Sequence, residues 1–526
     1  MPPAALCFAG FALSHTKPPR AVSARFTYAE LGVTDLQARL AGGRLTSRAL
    51  VLAYLSRIEA HDQLGERLRS VIETNPDAVA IAAELDRERR AGRVRGPLHG
   101  IPVLVKDNIA SADRMQTTAG SLALSRNFGG VTPPRDAFVV ARLREAGAIV
   151  LGKANMSEWA NIRSTRSTSG WSARGGLVRN PYALDRNASG SSSGTAVAVA
   201  ASFAAVGLGT ETDGSIVSPS AANGLVGLKP TVGLVSRDGI IPISRTQDTA
   251  GPMTRSVADA AILLSAIAGP DVRDAATAAA PSGIDYTQNL DAGGLRGLRI
   301  GVLRQSMTGH PATDALFERA LAVLVAQGAQ LVDPLDIPGI ERISSHESKV
   351  LLTEFKAGLA DWLREFAPGA PVASLADVIA FNERQATREM TYFGQELFLR
   401  AQQCGALDAP DYLEALAACR RLARDEGLDA ALRDHGLDAV VAPTRAPAWL
   451  TDLLHGDRPG RGFSTLPAVA GYPHITVPMG QVAGLPVNLS FAAGPWSEPL
   501  LIRAAYAFEQ ATRARFAPGF ARSALL

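Results

Sequence analysis

The sequence predicts an α/β fold around a mostly parallel or mixed sheet. Three observations predict it. Short apolar runs at 101–105, 148–151 and 298–303 have the length and composition of strands buried on both faces. Between them lie longer stretches whose apolar residues recur with helical period. The strand pattern also returns near the C-terminus, after a long helical block, so one sheet can run through both halves.

In chain order, residues 46–61 are expected to form a helix. It has a Thr/Ser start and carries Leu50, Tyr54 and Ile58 on one face. A second helix at 76–90 opens at Asn75-Pro76 and closes at Gly92. The strand at 101–105 ends in Lys106-Asp107-Asn108. There follow a helix at 136–146, a strand at 148–151 and a further helix beginning at 155–160. A small-residue helix at 195–204 and a strand at 206–209 lead into a serine-bearing turn. Next come a helix at 257–268, a strand at 298–303, a helix at 313–327 and strand-like Leu331-Val332. Residues 345–433 are nearly all helical in pattern, with helices at 350–366, 375–381 and 410–426. Strands at 438–442, 475–479 and 485–491 and a helix at 499–513 close the chain. Residues 25–526 therefore read as one domain with a helical insertion at about 345–433.

Residues 1–24 read as a leader or a disordered N-terminus. Val22-Ser23-Ala24 would suit a signal peptidase, but no basic residue precedes the apolar patch at 4–13. The expected location is the cytoplasm or, through a weak signal, the periplasm or cell envelope. No other segment holds 18 consecutive apolar residues, so no transmembrane helix is expected.

Composition narrows the function classes. At 526 residues, with 47% hydrophobic and 20% charged residues, the chain can bury a large core without disulfides or metals. The net charge of +3 comes from 53 basic and 50 acidic residues mixed along the sequence, which leaves no footprint for nucleic acid or an anionic membrane. Cys7, Cys404 and Cys419 show neither CxxC nor Cys/His ligand spacing, so no zinc site is expected. Cys404 and Cys419 read as two buried thiols. A monomer acting on a small molecule or peptide is the expectation.

The chemistry concentrates in 188–231, where Gly/Ser-rich sequence is embedded in Ala- and Val-rich, core-like sequence rather than in a linker. Gly190-Ser191-Ser192-Ser193-Gly194 matches G-x-S-x-G, which would put a nucleophile elbow at Ser192. That motif needs a strand directly before the serine, and the polar loop 179–187 stands there instead. None of the eight histidines adjoins a motif that would place it on a serine; His99 and His474 read as structural residues at turns. Lys106 has two readings. It is either a surface lysine with its ammonium in water, or a desolvated lysine neutral enough to serve as a base. Thr212-Asp213-Gly214-Ser215 is either a plain glycine turn or one that aims successive backbone N–H groups at a single point. From the residues alone, any of Ser189, Ser191, Ser192, Ser193 and Ser215 could be a nucleophile.

The order of Lys106 after a buried strand, the serine cluster at 189–194, and Asp213-Gly214-Ser215 resembles the amidase signature family. The resemblance runs from about residue 35 to 515. It implies a large mixed, twisted sheet covered by helices on both faces. It also implies a Ser–cis-Ser–Lys set at Ser215, Ser191 and Lys106, with the two serines 24 residues apart. By the same resemblance, backbone N–H groups of Thr212, Asp213 and Gly214 form an oxyanion hole, and neither metal nor cofactor takes part.

Within the family, Ser157-Glu158-Trp159-Ala160-Asn161, Gln247-Asp248-Thr249-Ala250-Gly251-Pro252-Met253 and Ala493-Gly494-Pro495-Trp496 look like bacterial peptide amidases. That implies release of ammonia from the C-terminal amide of peptide amides; the alternative is a small aryl amide, anilide or carbamate. The chain departs from the tRNA-dependent amidotransferase subunits, which carry Asp-Thr-Gly-Gly-Ser-Ile-Arg at this point. Val217 stands in place of their arginine.

Overall fold

A computed structural model describes residues 26–524. The expected leader at 1–24 and Cys7 lie outside the described residues.

Eleven strands form one sheet. They are β1 (Val71–Thr74), β2 (Pro102–Lys106), β3 (Ile149–Ala154), β4 (Val206–Glu211), β5 (Val226–Lys229) and β6 (Thr249–Thr254) from the first half. The second half adds β7 (Arg299–Leu303), β8 (Gln330–Leu335), β9 (Ala439–Pro443), β10 (His474–Val482) and β11 (Leu485–Ala492). Their order across the sheet is β1-β3-β2-β4-β6-β5-β10-β11-β9-β7-β8. The sheet is mixed: β3, β2 and β4 run parallel, as do β9, β7 and β8, and the remaining pairs are antiparallel. This is the α/β architecture that the sequence predicts.

The central strands place the site. β2 pairs with β4 in parallel, Val105 opposite Leu208, so both strands end side by side at the same edge. Ligands in α/β proteins gather at such carboxyl ends. Lys106 is the last residue of β2, and β4 leads straight into 212–215. Every residue of the helix Ser193–Ala200 is buried. Its Ala, Gly and small β-branched side chains let it lie close on the sheet. Gly207 is required beneath it, because a Cβ there would stand 2.6 Å from Thr195 Cγ2.

The helical block lies between β8 and β9, and includes Ile343–Phe366, Leu375–Arg384, Glu396–Gln402 and Pro410–Arg420. Among the described residues it contains no strand. No helix among them is long and apolar enough to cross a membrane.

Several expectations need correction. The helix expected from 155–160 is a short 3-10 turn, Glu158–Asn161, in which Trp159 and Ala160 adopt φ of 48° and 53°. Its N–H groups are drawn off by tertiary partners: Ser157 N donates to the Ser191 carbonyl and Trp159 N to the Ala119 carbonyl. β5 and β6 are not expected from the sequence, because Gly, Pro and Thr interrupt their apolar pattern although all their residues are buried. His474 is a buried residue of β10 rather than a turn residue, and its Nε2 lies 2.6 Å from Ser490 Oγ. Cys419 is buried as expected, but Cys404 is only half-buried; both thiols are free.

Candidate active site

Lys106 is fully buried, which excludes the surface reading. Its Nζ lies 2.8 Å from Ser191 Oγ, 2.8 Å from Thr210 Oγ1 and 3.2 Å from the Thr210 carbonyl. Three partners suit either protonation state. An ammonium donates to all three, whereas a neutral amine donates twice to Thr210 and turns its lone pair to Ser191. Burial pushes the Lys106 ammonium down to about 7, against the opposing pull of Asp248 and Glu211. The group can therefore exchange a proton near neutrality without rebuilding its surroundings.

Two other lysines, Lys153 and Lys229, are equally buried, and burial lowers each to about 8. Neither touches a serine hydroxyl. Lys153 donates to Thr117 Oγ1 at 3.0 Å and to the Ile109 carbonyl, and Lys229 donates to the Pro230 carbonyl at 3.0 Å. Contact with a serine hydroxyl, rather than burial, singles out Lys106.

The serine run sorts itself in the same way. The Gly190–Ser191 peptide bond is cis. Ser191 Oγ lies between Lys106 Nζ, at 2.8 Å, and Ser215 Oγ, at 2.9 Å. Ser192 Oγ donates to the Thr210 carbonyl at 3.1 Å, and Ser193 Oγ to the Ser189 carbonyl at 2.5 Å. Ser189 Oγ meets Ser218 Oγ at 2.9 Å, and both accept from Arg445 Nη1 at 2.8 Å. Only Ser191 and Ser215 of the five are joined to Lys106. Arg445 is buried and stacks on Trp449, so it ties the loop before Ser191 to the helix after Ser215.

The turn at 212–215 is braced from its outer side. Glu211 accepts from the Ile216 and Val217 N–H groups at 2.7 and 2.9 Å, which fixes the chain just beyond Ser215. Thr212 Oγ1 donates to Asp248 at 2.5 Å, and the Thr212 carbonyl accepts from Gln247 Nε2 at 3.3 Å. Gly214 has φ +77°, a left-handed conformation that favours glycine. From Asp213 to Ser215, no backbone N–H donates to any group of the described residues. A row of unspent donors beside a hydroxyl is the arrangement that stabilises a developing oxyanion.

The structure thus brings Lys106, Ser191 and Ser215 together, with Thr212, Asp213 and Gly214 alongside. Thr210, Gln247, Asp248 and Arg445, and Glu347, which accepts from Gln247 Nε2 at 2.9 Å, are partners to which the sequence alone assigns no role. Thr210 does fall inside the stretch 188–231, and Gln247-Asp248 inside a motif singled out above. A cavity of about 300 Å³ reaches Ser191, Thr210 and Thr212, with apolar walls from Ile241, Ile243, Trp362 and Phe366. A second, of about 340 Å³, reaches Gly190, Asp213 and Gly214 and is lined by Arg445, Trp449 and Asp457.

Known proteins resemble this chain over most of its length. The family model described as amidase matches residues 49–502. The crystal structure of native peptide amidase from Stenotrophomonas maltophilia is 56% identical, with a TM-score of 0.90 over 94% of this chain and 99% of that one. A probable amidase of Arabidopsis thaliana is 43% identical over 510 residues, 95% of this chain and 93% of the relative. A glutamyl-tRNA(Gln) amidotransferase subunit from Myxococcus xanthus is 36% identical, over 91% of this chain and 97% of its own length.

Proposed function

This chain belongs to the amidase signature family of amide-hydrolysing enzymes, and on that premise we propose that it hydrolyses the C-terminal amide of peptide amides. The observation that carries the mechanism is the unbroken contact from Lys106 Nζ through Ser191 Oγ to Ser215 Oγ, at 2.8 and 2.9 Å. Neutral Lys106 takes the Ser191 proton as Ser191 takes that of Ser215. Ser215 Oγ attacks the amide carbonyl. N–H groups of the 212–215 turn receive the oxyanion, each donor contributing about 3 kcal/mol in comparable sites. The proton returns through Ser191 to the departing nitrogen, which leaves as ammonia. Water, deprotonated through the same relay, then frees the acid.

The substrate assignment draws on the 56% identity to the Stenotrophomonas peptide amidase and on the apolar walls of the cavity at Ser191, suited to the side chain of a C-terminal residue. Val217 in place of an arginine separates the chain from the amidotransferase subunits. The test is ammonia release from a panel of dipeptide amides beside the matching anilides. Ammonia and free acid from the dipeptide amides are expected. Turnover of anilides with none of any peptide amide would overturn the substrate assignment.

A further inference from the structure

The apolar cavity at Ser191 lies beside a second one, of about 570 Å³, and Arg237, Pro242, Arg245, Asp274, Gly358 and Asp361 line both. Arg420, at the end of the helix Pro410–Arg420, and Arg424, on the π-helical turn Arg421–Leu428, line the second alone. The acids of this second cavity are already engaged. Asp274 accepts from Arg237 Nε at 2.8 Å and Nη2 at 2.6 Å, and Asp361 pairs with Arg364 at 2.6 Å. Glu354 accepts from the Tyr412 hydroxyl at 2.7 Å, from Thr246 N and Oγ1 at 3.1 Å each, and from the Ser244 hydroxyl. Its arginines are not. Arg245, Arg420 and Arg424 form no ion pair among the described residues, where Arg237 and Arg421 do. Arg424 donates from Nε to the Ala470 carbonyl at 2.7 Å and lies over the Tyr472 ring, which leaves its Nη groups open.

We propose that the second cavity is the subsite for the residues just upstream of the C-terminal one, and that it selects an acidic side chain there. With the Arg237–Asp274 and Arg364–Asp361 pairs set aside, Arg245, Arg420 and Arg424 face the single carboxylate of Glu354, which is turned to hydroxyl and backbone donors. A planar guanidinium offers paired N–H groups that match a carboxylate, so an acidic substrate side chain can pair here without breaking any existing contact. A lysine in its place would meet like charge. The loop that presents Arg245 is set in advance. Ser244 and Thr246, on either side, both donate to Glu354, and the Arg245 carbonyl accepts from Arg237 Nη1. Only the side chain remains to be ordered on binding, which limits the entropy cost. A peptide amide whose C-terminal side chain lies against Ile241, Ile243, Trp362 and Phe366 would pass Arg245, common to both cavities, before its upstream residues reach Arg420 and Arg424. The inference deepens the peptide-amide reading and rests on it.

The test uses N-acetyl tripeptide amides ending in phenylalanine amide, with Glu, Gln or Lys at one of the two upstream positions and alanine at the other. At low ionic strength the Glu substrate should exceed its Gln counterpart about tenfold in kcat/KM at one of the two positions, through KM, with Lys below Gln. The preference should shrink in about 0.5 M salt. In Arg245→Gln/Arg420→Gln the Glu-to-Gln ratio should fall to about two or less. Each ratio compares two substrates on one preparation, so any loss of folded protein cancels. A wild-type ratio near one at both positions, or a ratio that the double variant leaves unchanged, overturns the subsite. Competition by the same peptides against fluorophosphonate labelling of Ser215 needs no turnover. Tighter competition by a Glu peptide in a chain that hydrolyses none of them would fault the proposed function and leave the subsite standing. Equal competition by Glu and Gln peptides overturns the subsite whether or not they are hydrolysed.

Discussion

Ser215→Ala is expected to lower kcat on any amide substrate by at least about 10⁴-fold and to abolish covalent labelling by a fluorophosphonate. The substitution removes the hydroxyl that is bonded to Ser191 Oγ and stands beside the unspent N–H groups of the turn. What survives is the residual help of those donors, which polarise a carbonyl without attacking it. The fold should be unaffected. Among the described residues Ser215 Oγ is bonded only to Ser191 Oγ, and the Ser215 backbone is held independently by Ser192 N–H and by Glu211. Retained labelling would place the nucleophile elsewhere. Ser192 and Ser193 are poor alternatives, because both hydroxyls are committed to backbone carbonyls.

Lys106→Met should lower kcat on the order of 10³-fold, the range expected on removing a general base. Methionine fills the same volume but cannot accept a proton. Phosphonylation of Ser215 should slow in parallel, since it needs the same activation. Stability should hold or rise, because the buried lysine bears a desolvation cost that the thioether avoids. Slow chemistry in a chain that melts no earlier than wild type separates a base from a packing residue. A Lys106→Met enzyme that labels at the wild-type rate would exclude Lys106 from the relay.

The catalytic candidates and the mixed sheet are legible in the sequence because they rest on local signals. Lys106 ends an apolar run, and Gly214 interrupts a serine turn in a way that only a special backbone explains. The resemblance then chooses Ser191 and Ser215 from five hydroxyls, a choice that spacing alone leaves open. β5 and β6 are not legible, because a strand central to a sheet needs no alternation and its glycines serve close approach rather than a turn. The segment 155–160 reads as a helix because the residues that capture the Ser157 and Trp159 N–H groups, Ser191 and Ala119, are distant in sequence. Glu347 leaves a faint mark. It shares the buried stripe Ile343, Glu347, Val350, Glu354 of its helix, and an acid on such a stripe calls for a partner. Which partner depends on how the insertion folds back over the turn, and no local pattern carries that.

The central claim is that a base outside the serine-rich stretch activates the nucleophile within it. The most direct measurement is the rate constant for phosphonylation of Ser215 by a fluorophosphonate, followed through neutrality in wild type and Lys106→Met. Lys106 must be neutral to accept a proton, and burial lowers it to about 7. The wild-type rate should therefore fall about tenfold per pH unit below that value and level off above it. Lys106→Met should be slow and show no step there. A wild-type profile that is flat through neutrality, or a step that persists in Lys106→Met, would contradict the account.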